Sequence, residues 1–265
     1  MAVPAGGVEG EFERFKRLDL GDIVAVSGEV FTTRMGEVTL KAAGFQLLSK
    51  ALRPMPEKWH GLVDLEQRYR QRYLDLLSND DVRDLFRKRV EVIREIRGFL
   101  DERGFLEVET PMLQPIPGGA AARPFETYYN ALGCPMYLRI APELYLKRLL
   151  VGGFSKVYEI NRNFRNEGLS RRHNPEFTMM EIYEAYSDCR GMMELAEELV
   201  VTVARNVFGK LQFELPEDGE TIDLSPPWRR VTYAELVRER MGPDWFELSL
   251  EDKQKRASSE GLSPE

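Results

Sequence analysis

The residue types able to do chemistry gather between positions 155 and 186. In SKVYEINRNF (155–164) and the residues that follow it, Glu159, Asn161, Asn163, Arg165 and Glu167 hold odd positions; in PEFTMMEIYEAY (175–186) so do Phe177, Met179, Glu181 and Tyr183. Strand residues of like parity share a face. A ring, a thioether, a carboxylate and a phenol on one face do not make an ordinary core. If the two strands pair through the connection between them, both polar faces look into one cleft. That connection contains LSRRHN and adds Arg171, Arg172 and His173. With Arg165 these form a cationic bowl suited to phosphate oxygens, which guanidinium groups bind in pairs of parallel hydrogen bonds. A solvated face with cross-strand ion pairs would show the same alternation, but its hairpin would need only turn residues in the loop. Glu143, at the start of a helix, is favoured there by the helix dipole whether or not it holds a ligand.

Both strands, 155–164 and 175–186, are bounded by turn residues. Shorter strands are predicted at FLEVE (105–109) before Pro111, RPFETYY (123–129) and MYLRI (136–140). A helix opens at Pro142 (PELYLKRLLV), where the missing N–H costs nothing. Upstream, 66–77 reads as one helix. A longer one spans 80–104, with apolar residues at 82, 85, 86, 90, 93, 96 and 100, the stripe of a surface helix. Asn79 or Asp80 is expected to cap it and Gly104 to stop it. Further helices are expected at 190–208, 231–240 and 249–259. The first fifty residues read as β structure, with strands in 22–33 and 37–50. That is too little sheet to bury its own faces, so it either docks elsewhere or is the remnant of a small barrel. RPMPEKWHG (53–61) reads as a linker, which places a domain boundary near residue 60. Strands and helices without regular βαβ alternation indicate an α+β fold, an antiparallel sheet with helices packed on it.

Composition narrows the possibilities. A chain of 265 residues that is 43% hydrophobic can bury a sizeable core. Its 37 Lys and Arg against 44 Asp and Glu give a net charge of −7, so any nucleic-acid contact needs a local basic patch. No GxGxxG or GxxxxGK[ST] is present, so a nucleotide must be held in some other way. The longest apolar run, LVVTVA at 199–204, lies between Glu198 and Arg205, too short to span a membrane. MAVPAGGVEG lacks the features of a secretion signal. Two cysteines (Cys134, Cys189) and two histidines (His60, His173) are too few for a closed zinc site or a disulfide framework. The expected setting is the cytoplasm.

FRNEGLSRRHNPEFTMMEIYEAY (164–186) resembles motif 2 of the class II aminoacyl-tRNA synthetases, and GFLEVETPML (104–113) resembles motif 1, with its proline at the dimer contact. IPGGAAARPF (116–125), YLRIAPELYLKRLLVGG (137–153), RYRQRYLDL (68–76) and LLSKALRPMPEKWHGL (47–62) are similar to the lysyl-tRNA synthetases in particular. The resemblance runs from about Leu20 to the end. It implies a class II antiparallel sheet flanked by helices (61–265), preceded by a partial OB-fold anticodon-binding domain and linker (1–60). It further implies ATP-dependent activation of lysine to lysyl-adenylate and ligation to tRNA(Lys), by a homodimer formed through the motif 1 region. Residue by residue, it assigns Arg165 to the ATP α-phosphate and the lysine carboxylate, Glu167 to the adenine amino group and Phe177 to stacking on the adenine. His173 and Asn174 fall where the family contacts ATP phosphates and adenosine. Gly119 and Glu143 would hold the lysine α-amino group, and Glu181 and Tyr183 would line the pocket for its side chain.

By the same resemblance, the family's motif 3 and its Mg²⁺-binding acids would follow Glu265, so the chain reads as an internal fragment whose activity on its own is expected to be impaired. A related enzyme that activates lysine for a non-tRNA acceptor would share these motifs. So would a truncated chain that only dimerises or binds nucleotide. The retained OB-like strands argue against an enzyme that modifies protein. For in-line attack of a carboxylate on phosphorus, the protein positions reactants and stabilises charge, and needs no side-chain nucleophile.

Overall fold

The structure, a computed structural model, describes residues 13–53, 62–168, 170, 173–215 and 219–262, and divides into two compact units, Met1–Arg89 and Val90–Glu265. The linker expected at 53–61 lies outside the described residues except for Arg53.

In the first unit, β1 (Ile23–Thr32) and β2 (Val38–Ser49) form an antiparallel hairpin whose register slips between Ile23 and Val24 and again between Ser27 and Gly28. At Gly28 the strands come so close that a Cβ would stand 2.0 Å from the Lys41 carbonyl oxygen. Asp22 clasps the open end, accepting from Ala51 N (2.7 Å), Asp19 N (2.8 Å) and Lys50 Nζ (2.8 Å). Ile23, Val30, Val38 and Leu48 remain exposed, since two strands cannot cover both of their own faces.

The helix expected at 66–77 is two helices, α1 (Leu65–Arg70) and α2 (Arg72–Ser78), broken at the non-helical Gln71. The break lets Arg68 and Arg72 converge on the fully buried Asp75, which also accepts from Asn79 Nδ2 at 2.6 Å. A buried carboxylate needs such partners more than the chain needs an unbroken helix. Asn79 thus turns its amide back toward Asp75. Helix α3 (Asp80–Glu102) follows; Gly104 (φ +77°) ends it, and Phe105 N bonds back to Leu100 O. Only part of the expected stripe is buried: Val82 and Leu100 are, whereas Leu85, Phe86 and Val90 face solvent.

In the second unit, Phe99, Leu100, Phe105, Tyr158, Leu199 and Val203 form the core, with Ile160, Met180 and Ile182 packed against it. Two three-stranded sheets flank the site. One has the order β3 (Leu106–Glu107), β7 (Lys156–Phe164), β8 (Glu176–Glu184); the other β4 (Leu113–Gln114), β6 (Cys134–Leu138), β5 (Phe125–Tyr129). All pairings in these two sheets are antiparallel except β3 with β7, which is parallel. The intervening chain is long enough for the crossover a parallel pair requires. Helix α4 (Glu143–Val151) packs on β7 and β8, and α5 (Cys189–Phe208) supplies Leu199 and Val203 to the core. A short hairpin of β9 (Gln212–Glu214) and β10 (Thr221–Asp223), which periodicity did not reveal, precedes α6 (Tyr233–Met241) and α7 (Leu250–Ser259). No helix among the described residues is long and apolar enough to cross a membrane.

Candidate active site

The parity of β7 and β8 divides core from cleft. Tyr158 and Ile160 on β7, and Met180 and Ile182 on β8, are even-numbered and join the core. The odd residues therefore occupy the other face, and the register sets Val157 opposite Tyr183, Glu159 opposite Glu181, Asn161 opposite Met179 and Asn163 opposite Phe177. Past the last strand pair, Arg165 N donates to Pro175 O at 2.9 Å, which carries the hairpin one step further.

At that end a cavity of about 290 Å³ is lined by Arg165, Glu167, Gly168, His173, Asn174, Pro175 and Phe177. Five of the sequence candidates, Arg165, Glu167, His173, Asn174 and Phe177, thus share one concavity. The Arg165 guanidinium sits 5.3 Å from the Phe177 ring centroid, a cation–π contact that holds the charge beside the ring. Its Nε, and both polar atoms of Asn163, are buried without a hydrogen-bond partner among the described residues. His173 Nδ1 lies 2.7 Å from Ser170 Oγ, across a bridge that closes the hairpin. Arg171 and Arg172, the other cations expected in this bowl, lie outside the described residues.

The segment 115–124 docks beside this end. Glu167 Oε1 accepts from Arg123 N at 3.3 Å, and Asn166 N donates to Arg123 O at 2.8 Å.

The other end of the same face is acidic. Gly119 has φ +87°, a conformation suited to glycine, and a Cβ there would stand 2.9 Å from Glu143 Cβ and 3.5 Å from Glu143 Oε2. Glycine therefore lets the 115–124 segment lie directly against Glu143. That glutamate, first in α4, pairs with Lys147 one turn on at 2.5 Å, a partner the i,i+4 spacing could have revealed. On β8, Tyr183 Oη donates to Glu181 Oε2 at 2.9 Å. Burial raises the Glu181 pKa above the ordinary glutamate value; the Tyr183 hydrogen bond opposes the rise, and the neighbouring charge of Glu143 adds to it. Burial and the bond to Glu181 push the Tyr183 phenol well above its usual range, so it stays a neutral donor. Gly119 and Glu143 thus come together in space, as do Glu181 and Tyr183. Phe177 and Glu181, four residues apart on β8, are separated by about 13 Å at a strand's rise per residue.

Beneath this end lies a group the sequence reading did not single out. Arg139 is fully buried and pairs with the buried Glu159 at 2.7 Å. The available signal was an arginine inside the apolar run MYLRI, since a charge rarely enters a core without a partner. Among the described residues no group of three or more His, Cys, Asp or Glu is placed to hold a metal ion.

Residues 64–260 match the family described as tRNA synthetases class II (D, K and N). A lysine–tRNA ligase of Pelotomaculum thermopropionicum is 58% identical over 255 residues, covering 96% of this chain and 50% of its own length. Those of Syntrophomonas wolfei (58% over 243 residues; 92% and 49%) and Carboxydothermus hydrogenoformans (57% over 234; 88% and 48%) are similar to a comparable degree. The chain spans about half the length of the curated relatives it matches.

Proposed function

Because the chain belongs to the class II tRNA synthetases (D, K and N), we propose that the odd face of β7 and β8 binds ATP and lysine and joins them as lysyl-adenylate, for transfer of lysine to tRNA(Lys). The observation that carries this reading is that one strand face presents a cationic, aromatic cavity at one end and neighbouring carboxylates, Glu143 and Glu181, at the other. The separation of about 13 Å suits the two halves of an aminoacyl nucleotide.

In this reading Phe177 stacks on the adenine, Glu167 accepts from its amino group, and His173 and Asn174 contact phosphate and adenosine. Gly119 and Glu143 receive the α-ammonium of lysine. Glu181 and Tyr183 receive the side-chain ammonium, a cation matched by a carboxylate. Arg165 lies beside Phe177, where its buried Nε and the Asn163 amide, without partners among the described residues, leave hydrogen-bonding capacity for a ligand. An oxygen of the lysine carboxylate attacks the α-phosphorus, forming the new O–P bond. The bond from that phosphorus to the bridging oxygen breaks, and pyrophosphate leaves with the electron pair. Arg165 stabilises charge at phosphorus, and the acidic end fixes the attacking group within reach. Mg²⁺ would supply further charge neutralisation on the polyphosphate.

The same reading makes β1 and β2 part of an OB-fold anticodon-binding domain, with 1–60 and 61–265 as the two domains, and places a homodimer contact on α3 and β3 in a cytoplasmic enzyme. Lysine-dependent ATP–pyrophosphate exchange tests the proposal. Exchange that responds to lysine over other amino acids is expected, and a folded protein that neither exchanges nor binds lysine would refute it.

A further inference from the structure

The Arg139–Glu159 pair adds a second layer beneath the acidic end of the cleft. Arg139 Nη1 bonds Glu159 Oε1 at 2.7 Å, Thr110 Oγ1 at 3.0 Å and Thr110 O at 3.2 Å, while Nε donates to Arg162 O at 2.9 Å. Its main chain also joins the two sheets, since Arg139 N donates to Met112 O and Phe164 N donates to Arg139 O. Glu159 receives Thr110 Oγ1 at 2.6 Å, Thr110 N at 3.2 Å and Asn161 Nδ2 at 3.2 Å. On the neighbouring strand, directly opposite Glu159, stands Glu181. Directly paired residues of like charge repel across a sheet.

A buried ion pair is not needed for stability, because apolar residues of the same volume serve as well or better. Arg139 also keeps one buried N–H group, Nη2, without a partner among the described residues, a further cost. What the pair does for its neighbours accounts for its presence. From Arg139 the chain runs through the buried Ile140 and Ala141 straight into Glu143 at the head of α4.

We infer that Arg139, acting through Glu159, is a positioning and specificity-determining residue of the amino-acid pocket. It cancels the carboxylate facing Glu181 and anchors the segment leading into Glu143, so that Glu143 and Glu181 present negative charge to an amino acid with two ammonium groups. This rests on the lysine-pocket reading given above and adds the groups that set its charge. The charged and titratable groups around Glu181 are Tyr183 on its own strand, Glu159 on β7, Glu143 on α4 and Arg139 after β6. Of the charges, Glu143 and Glu159 raise its pKa, and Arg139 lowers it.

The sign of the effect follows. Glu181 loses its charge as pH falls through its raised pKa, and lysine binding weakens with it. Removing Arg139 while keeping Glu159 moves that loss to higher pH. Lysine binding, measured by titration calorimetry over the pH range in which the protein stays folded, provides the test in the wild type, Arg139→Met, and Arg139→Met combined with Glu159→Gln. The single variant is expected to lose lysine affinity at a higher pH than the wild type as pH falls, a profile displaced upward by about one unit and so up to about tenfold weaker binding on its acid limb. ATP affinity should not change. The double variant is expected to restore both the affinity and the wild-type profile. An equal loss at every pH, or a double variant whose profile is displaced like the single's, overturns the inference. If the single variant does not fold, a double variant whose profile is displaced from the wild type's overturns the inference. A wild-type protein with no affinity for lysine overturns instead the pocket reading beneath it.

Discussion

Arg165 lines the cavity at the cationic end of the face, and its surroundings say what its loss would do. Its guanidinium is braced by Phe177 and forms no ion pair among the described residues, so truncation leaves no described acid stranded in the interior. Arg165→Ala is therefore expected to keep the fold while lowering lysine-dependent exchange about 30- to 1,000-fold, the value of about 2–4 kcal/mol at the transition state. Exchange within about threefold of wild type would remove Arg165 from the mechanism. Glu143 and Tyr183 belong to the opposite end, and neither lines the cavity that holds Arg165 and Phe177. Glu143→Gln and Tyr183→Phe should each raise the KM for lysine far more than that for ATP. Steady-state kinetics with each substrate varied in turn would check this, and equal rises would mean that the face is not divided into two subsites.

At the scale of elements, what the sequence made legible was parity. The alternation in 155–164 and 175–186 separates Tyr158, Ile160, Met180 and Ile182 from Glu159, Glu181 and Tyr183 without knowledge of any partner, because a strand's two faces are set by its backbone alone. Interactions between distant segments stayed hidden. The split at Gln71 depends on Asp75 drawing Arg68 and Arg72 together, and the parallel seat of β3 depends on where β7 lies. Neither leaves a periodic signal. Nor did periodicity show that Gly28 sits where β1 and β2 almost touch. Gly28→Ala places a methyl group 2.0 Å from a backbone oxygen that cannot swing aside, and should destabilise the hairpin by about 1–3 kcal/mol. Gly98 is the control: it lies within α3 with nothing near a Cβ, so Gly98→Ala should stabilise by about 0.5–1 kcal/mol. Hydrogen exchange resolved to the amides of β1 and β2 would separate the cases. Unchanged protection there in Gly28→Ala would mean that the strands can part at no cost.

For the whole molecule, the apolar residues that the helical stripe assigned to an interior are the informative failure. Leu85 is 66% exposed and Val90 56% exposed, with Phe86 beside them, on a helix that otherwise carries Asp80, Asp84, Arg87, Lys88, Arg89 and Glu91. The pattern was read correctly as an amphipathic face, but periodicity cannot tell a face buried within the chain from one covered by another molecule. In the proposed reading α3 lies in the motif 1 region, and the homodimer of that reading would cover this face with its own copy through a twofold contact, in which each side supplies the same residues. Each apolar residue then counts twice, so a charge introduced at its centre is repelled by its own equivalent. The protein is expected to sediment as a dimer at micromolar concentration. Leu85→Glu together with Val90→Glu should give monomers, with little change in the core formed by Phe99, Leu100 and Leu199, which neither residue joins. A wild type that sediments as a monodisperse monomer would remove the dimer. A double variant that remains dimeric would move its contact to a surface other than this face of α3.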